Sequence, residues 1–248
     1  VASFFGWRIA MAAATALALT AFAVTLMQLP PAARTHRQKP SLKEFINGYR
    51  SVFANPRSVV CFAAVFVEGI VIFGLFPYIA VILEQRGAGG VREAGFVLAG
   101  FGLGGFIYAA LVRLMLGRLG VYKLIAAGGL VSGCGLWFLS LVTPWPSAMA
   151  TLVIVGVGFY MIHNSLQTQA TELAPHNRAS AVAMHSFFMF LGLAFGPVAF
   201  GVGLAALGTA WTLHLAGAVM TLLGVATAWG LKTRSAVAVS DVAGPPGM

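Results

Sequence analysis

The chain has 248 residues, of which 59% are hydrophobic and only 8% carry a charge. A soluble domain has about a quarter charged residues, because its surface must face water. The composition therefore excludes a soluble globular protein and predicts an all-α integral membrane protein whose surroundings are lipid. The net charge of +9 does not indicate a nucleic-acid partner, since the basic residues lie in short clusters between apolar runs and match no nucleic-acid motif.

Seven apolar segments are long enough to cross a membrane, which takes roughly 20 residues of helix. Proline, glycine or charged residues separate them. The spans are predicted at 9–29, 58–83 and 94–112, with two more in 124–171, divided at the TPWPS of 143–147, and two in 179–231, divided within 204–209.

The spans predict four regions along the chain. A first transmembrane helix occupies 1–29, a basic linker 30–57, a block of six helices 58–231, and a disordered tail 232–248. Within the linker, the segment SLKEFINGYRSVFANP fits an amphipathic surface helix and fits a plain loop equally well. Both interpretations remain open.

The distribution of basic residues predicts the orientation. If the linker is cytoplasmic, that side of the membrane holds twelve Lys and Arg residues, whereas the other side holds only Arg8, Arg86 and Arg92. Cytoplasmic loops of membrane proteins carry the excess of positive charge. We therefore expect a multi-pass protein whose N-terminus lies outside and whose C-terminus lies in the cytoplasm.

Glu68 is the one acidic residue inside a predicted span. A carboxylate within a membrane costs a few kcal/mol on insertion scales, so it usually faces a water-filled cavity or a polar partner. One interpretation makes Glu68 a proton-coupling group that gains and loses a proton during function. The other makes it a hydrogen-bonded carboxyl that only fixes the packing of its helix.

A polar stripe follows in the fifth span, where Tyr160, His163, Asn164, Gln167 and Thr171 recur at helical spacing. Five polar groups on one helix face should point away from hydrocarbon. As a cavity wall they would hydrogen-bond a polar substrate, with Asn164 and Gln167 foremost. As a structural feature they would bind this helix to its neighbours. His163 is also a candidate partner for the buried glutamate.

The remaining candidate ligands predict no metal site and no cofactor. His185 and His214 stand alone in apolar helices, where packing or a hydrogen bond is the expected role. Cys61 and Cys134 are far apart and lack metal-ligand spacing. Since no paired acids and no Ser-His-Asp set occur either, we do not expect an enzyme.

Three pairs of glycines have the GxxxG spacing that lets membrane helices approach closely. Each pair lies in a different predicted span, and several glycines in a span suit helices that slide against one another. The residues expected to pack helices are Gly100, Gly104, Gly129, Gly133, Gly192 and Gly196.

Three segments of the chain resemble parts of one known family. HNSLQTQATELAPHNRASAVAMHSFFMFLGLAFGP (163–197) is similar to the region of the tenth and eleventh helices of major facilitator superfamily transporters. FVEGIVIFGLFPYIAVIL (66–83) resembles the seventh helix of the bacterial sugar- and drug-efflux permease branch, and GWRIA (6–10) resembles the start of the sixth. The chain is thus similar to helices six to twelve, one C-terminal six-helix half with one preceding helix.

The resemblance implies a function. Family members have two six-helix halves, bind the substrate between them and work by alternating access. We therefore expect a proton-coupled efflux transporter of a small molecule in the bacterial inner membrane, completed by an N-terminal half or by a second copy of the chain. The alternative is a non-transporting membrane protein, either a truncated product or a scaffold subunit.

The loop RLMLGRLGVY (113–122) resembles an eroded second copy of the family's Gly-x-x-x-Asp-Arg-x-Gly-Arg-Arg pattern. It keeps Arg118 and Gly120, but Gly117 replaces the aspartate, and Val121 and Tyr122 replace the two basic residues. The resemblance makes Arg118 the candidate for a gating role in this loop.

Overall fold

The structure, a computed structural model, describes residues 6–28 and 41–243, without the side chains of 43–45 and 235–243. Every regular element in these ranges is helical, which confirms the all-α prediction. The helices are α1 (Trp7–Gln28), α2 (Leu42–Ala54), α3 (Arg57–Leu75), α4 (Ile79–Gln85), α5 (Val91–Leu139), α6 (Trp145–Leu173) and α7 (Arg178–Ala243), with 3₁₀ turns at Phe76–Tyr78 and Pro175–Asn177.

The chain divides into two compact units, residues 1–45 and 46–248. The first unit contains α1, a helix of 22 residues that is apolar and long enough to cross a membrane. The second unit contains the candidate functional residues, and its helices are described below.

Two glycines break long helices into separate spans. Gly120 has φ 70° and ψ 167°, and Gly208 has φ 75° and ψ 171°. A side chain would strain this left-handed backbone, which glycine adopts freely. The breaks divide α5 into α5a (91–119) and α5b (121–139), and α7 into α7a (178–207) and α7b (209–243). Among the described residues, five helices are long and apolar enough to cross a membrane. The breaks divide two of these, α5 and α7, so the described residues contain seven apolar segments, the number of spans that the sequence predicts.

Hydrogen bonds place the start of α3 and the ends of α6 and α7b at one end of the second unit. The side-chain amide of Asn55 donates to the carbonyl of Leu173 over 3.1 Å. The guanidinium of Arg234 donates to the carbonyl of Pro56. Successive spans therefore run in alternate directions, as a chain that crosses a membrane repeatedly requires.

Arg86 joins the loops at the opposite end. Its guanidinium donates to the carbonyl of Leu139 over 2.9 Å and to that of Val142 over 2.7 Å, so it caps the C-terminus of α5b. Cations are favourable at this end of a helix because its last carbonyls lack helical partners. Partial burial lowers the pKa of Arg86. At the same end, the hydroxyl of Thr209 donates to the side-chain oxygen of Gln85.

Glycines allow the helices to touch at the backbone. A β-carbon at Gly129 would lie 2.7 Å from the α-carbon of Gly224, so α5b and α7b are in direct contact there. A β-carbon at Gly196 would lie 2.9 Å from the α-carbon of Gly74, which joins α7a to α3 in the same way. All six of the glycines singled out in the sequence face atoms of another helix: Gly100, Gly104, Gly129, Gly133, Gly192 and Gly196.

Helices occupy both segments that flank the six-helix block in the described residues. Of the two interpretations of 41–56, the structure has the helix, α2, whose Val52 is fully buried. The backbone of α7 continues to Ala243, whereas the sequence predicts a disordered tail from residue 232. The stretch up to Ala243 contains no glycine or proline after Gly230, so nothing in its composition ends the helix. Residues 244–248 lie outside the described ranges.

Candidate functional site

Glu68 lies on the inner side of α3 and is fully buried. Its Oε2 atom is 3.1 Å from Nδ1 of His163 on α6, so the two side chains form a hydrogen-bonded pair between the two helices. The other carboxyl oxygen, Oε1, has no hydrogen-bond partner among the described residues. The sequence offered this pairing as one candidate, and the structure places the two side chains together.

His163 connects the glutamate to a second histidine. Its ring stacks on Phe159 at a centroid distance of 5.0 Å, and its other neighbour is the ring of His185 at 5.1 Å. His185 lies on α7a, is 1% exposed, and its Nε2 atom has no hydrogen-bond partner among the described residues. Three helices therefore each contribute one titratable side chain to the same buried place.

This arrangement can hold a proton that is shared or passed between groups. Glu68 and a neutral His163 together carry a charge of −1 when the carboxyl is ionised, and one added proton makes the pair neutral. A net charge buried among apolar side chains is costly unless it is compensated. The pair thus responds to one proton, and its titratable neighbours are His185 and, two turns earlier on α3, Cys61.

The polar stripe of α6 does not share a single environment. Gln167 is exposed and Thr171 is half-buried, with its hydroxyl donating to the carbonyl of Thr168. Tyr160 is half-buried in a group of aromatic rings that includes Phe101, at 5.7 Å. The side chain of Asn164 hydrogen-bonds Tyr108 of α5a. The stripe therefore has an exposed part next to His163 and a part that faces a neighbouring helix.

Two further candidates lie apart from this group. Arg118 is exposed in the last turn of α5a, directly before the break at Gly120. His214 of α7b is 2.8 Å from the hydroxyl oxygen of Ser140, which is the hydrogen bond expected of an isolated histidine. Among the described residues, no group of His, Cys, Asp and Glu has the arrangement of a metal site.

The comparison with protein families decides what kind of protein this is. The profile described as Major Facilitator Superfamily matches residues 1–197 and 91–245, which together cover nearly the whole chain. The chain belongs to the major facilitator superfamily. It is therefore a multi-pass membrane protein of a transporter family, which fits the expectation that it is not an enzyme. No curated protein sequence matches the chain.

Membership gives the buried group a context, because carriers of this architecture bind substrate between two halves. The family match favours a transporter over the non-transporting scaffold that the sequence left as an alternative. His185 is the member of the group for which the sequence predicts only packing or a hydrogen bond. It stands 22 positions from His163, on another helix, and no local spacing pattern connects the two.

Proposed function

We propose that this chain carries the C-terminal half of a small-molecule efflux transporter, of the bacterial sugar- and drug-permease branch, driven by proton exchange at Glu68. The observation that carries the proposal is the buried hydrogen bond between Glu68 and His163 across the contact of α3 and α6. A carboxyl that served packing alone would not need a second titratable group as its partner. Here the partner of the carboxyl, His163, is titratable, and a second histidine, His185, lies beside it.

The electrostatics of the pair couple proton binding to helix position. With its proton the pair is neutral, and burial between α3 and α6 is tolerated. Without the proton the pair has a net negative charge, and this charge is stabilised by contact with water. Loss of the proton therefore favours a conformation in which the pair faces an aqueous opening. Alternating access needs such a bias between two conformations.

The substrate binds next to this pair in the proposed mechanism. Gln167 lies one helical turn beyond His163 and is exposed, and Tyr160 lies about one turn before it. These two side chains offer hydrogen bonds to a polar group of the substrate. Asn164, which the sequence also suggests for this role, faces α5a instead and is not part of the proposed substrate site. The opposite wall of the binding site comes from a second six-helix half, in the same polypeptide or in a second copy of this chain.

In the proposed orientation, one side of the protein faces the cytoplasm across a bacterial inner membrane. The excess of positive charge on that side supports this orientation, since it carries twelve Lys and Arg residues in the linker, the later loops and the tail. The end of the bundle that holds Pro56 and Leu173 is then cytoplasmic, and the end that holds Arg86 is external. Glu68 lies 11 residues after the start of α3, roughly halfway along the span.

The test is Glu68→Gln in the full-length protein, expressed in a bacterium that lacks its main efflux systems. Efflux of ethidium and of radiolabelled sugars is measured with and without a protonophore. We expect the protonophore-sensitive efflux to fall at least tenfold, because the amide keeps the shape of the carboxyl and cannot exchange a proton. Glu84→Gln is the matched control, since Glu84 is exposed at the end of α4, and it should leave efflux unchanged.

The amount of each variant in the membrane is measured on the same cells, so that poor insertion is separated from lost transport. Efflux with the same rate and pH dependence in Glu68→Gln as in the parent would remove Glu68 from the mechanism. His163→Gln should resemble Glu68→Gln, since it takes away the titratable partner of the carboxyl.

A further inference from the structure

A cavity of about 410 Å³ lies on the other side of α6 from His163. The cavity face of α6 starts one residue after His163 and is centred roughly half a turn around the helix from it. The site of the proposed proton exchange and this cavity are therefore separated by the helix itself. The cavity is formed by α5a, α5b and α6 and is lined by Tyr108, Ala109, Val112, Leu116, Val121, Leu124, Asn164, Ser165, Thr168 and Gln169.

The α6 wall of the cavity offers hydrogen-bond acceptors. The hydroxyl of Ser165 donates to the carbonyl of Met161 over 2.7 Å, and that of Thr168 donates to the carbonyl of Asn164 over 2.9 Å. Both hydroxyl protons are thus used within the helix, and the oxygens keep free lone pairs. The side-chain oxygen of Gln169 is buried without any hydrogen-bond partner among the described residues. Such a group costs free energy until a donor reaches it.

Apart from Tyr108, which hydrogen-bonds a side chain of α6, the walls opposite α6 are apolar, and they lead outward. Val112 and Leu116 of α5a face Val121 and Leu124 of α5b across the cavity, and 46% of Leu116 is exposed at the surface of the unit. None of the described lining residues is charged at neutral pH. A ligand with a full charge would therefore be buried there without a counter-charge, which is strongly unfavourable.

We propose that this cavity binds an uncharged, single-chain amphiphile from the membrane, whose hydroxyl or amide N–H donates to the side-chain oxygen of Gln169. The hydrocarbon chain lies between Val112 and Leu116 on one side and Val121 on the other. The volume is within the range of about 300–1,000 Å³ that small-molecule sites occupy. The site is distinct from the proposed proton and substrate site, and it exists whether or not Glu68 exchanges a proton.

The probe is decanol with a photoactivatable diazirine on its chain, added to the purified full-length protein in detergent. After irradiation, mass spectrometry of peptides locates the label, which we expect on 108–124 and 164–169. Unlabelled decanol should compete at least tenfold better than decylammonium or decanoate at the same mole fraction in the micelle. These three competitors share a ten-carbon skeleton and differ in the head group, which is an uncharged hydroxyl, a cationic ammonium or an anionic carboxylate.

Two variants test the assigned residues. Ala109→Trp places a large ring in the cavity and should abolish labelling. Gln169→Leu removes the unpartnered oxygen and should weaken competition by decanol about fivefold to tenfold, the value of one hydrogen bond. Without probe, Gln169→Leu should unfold at a higher temperature than the parent. The substitution removes a buried oxygen that has no hydrogen-bond partner and therefore destabilises the folded parent. A purely structural glutamine would give the opposite change in stability.

Ala218→Trp is the control, since Ala218 lines a different cavity, between α5b and α7b, and the variant should be labelled like the parent. Equal labelling of Ala109→Trp and Ala218→Trp would overturn the proposal, as would equal competition by the charged and uncharged probes. Labelling and efflux are separate readouts. A failure of Glu68→Gln to alter transport therefore leaves the cavity assignment standing, and the reverse also holds.

Discussion

Gly129→Ala tests the close contact of α5b and α7b. The added carbon would lie 2.7 Å from the α-carbon of Gly224 and 2.8 Å from the carbonyl oxygen of Met220. Carbon atoms in contact are normally about 3.5–4.0 Å apart, so the two helices must separate by about 1 Å. Overpacking of this kind costs about 1–3 kcal/mol. Alanine is also a better helix former than glycine by up to about 1 kcal/mol, which offsets part of the cost.

The control for helix propensity is Gly102→Ala, in α5a, where an added β-carbon would have no atom within 4 Å. The difference in unfolding free energy between the two variants then isolates the overpacking, about 1–3 kcal/mol, or roughly fivefold to 150-fold in the unfolding constant. Reversible unfolding in mixed micelles with increasing dodecyl sulfate, followed by circular dichroism, measures both. Equal stability of the two variants would show that the backbones of α5b and α7b are not in contact.

Two further predictions concern the loops and the thiols. Arg86→Gln removes charge-assisted hydrogen bonds to the carbonyls that end α5b, and it should lower the unfolding free energy by about 1–2 kcal/mol in the same unfolding assay. Arg118→Gln is the control. Because Arg118 is exposed, this variant should leave the unfolding free energy unchanged. An alkyl maleimide in mild detergent should add one label per chain, at the exposed Cys134, because Cys61 is fully buried and its thiol donates to the carbonyl of Leu166. Intact-mass spectrometry counts the labels. Two labels on the parent, or a label that persists in Cys134→Ser, would contradict the burial of Cys61.

The spans could be predicted from the sequence because the signal for a membrane helix is local. Length and the absence of charge decide it, and both are visible in a window of about 20 residues. Even the division of 179–231 was predicted within 204–209, and it occurs at Gly208. The sequence does not show that the backbone of a single glycine makes this division. Gly208 has a left-handed backbone inside a continuous apolar run, and composition alone does not distinguish it from the packing glycines.

The candidate site was only partly predictable, because its members come from three helices. Glu68 can be identified from the sequence because a carboxylate inside a membrane span costs free energy, and His163 because it lies on a polar stripe of its helix. His185 has no such signal. Its position beside His163 depends on the register of α7a against α3 and α6, which is a property of the folded bundle. For the same reason, the spacing of the stripe did not show that Asn164 faces α5a whereas Gln167 is exposed.

The register of α7a also determines which helix contact a proton can change. Gly69, next to Glu68, lies close against Gly192 of α7a. A β-carbon added at Gly69 would lie 3.2 Å from the α-carbon of Gly192. From the sequence, such glycines suit helices that slide against one another. Because the backbones here are packed so closely, we expect α3 and α7a to move together instead. The contact of α3 with α6 contains the hydrogen bond of Glu68 to His163 instead. Since His185 lies on α7a, a shift of this pair against α6 changes both neighbours of His163 together. Proton exchange at Glu68 would therefore act on the contact between α6 and the pair formed by α3 and α7a. The glycines near the carboxyl hold that pair in close contact.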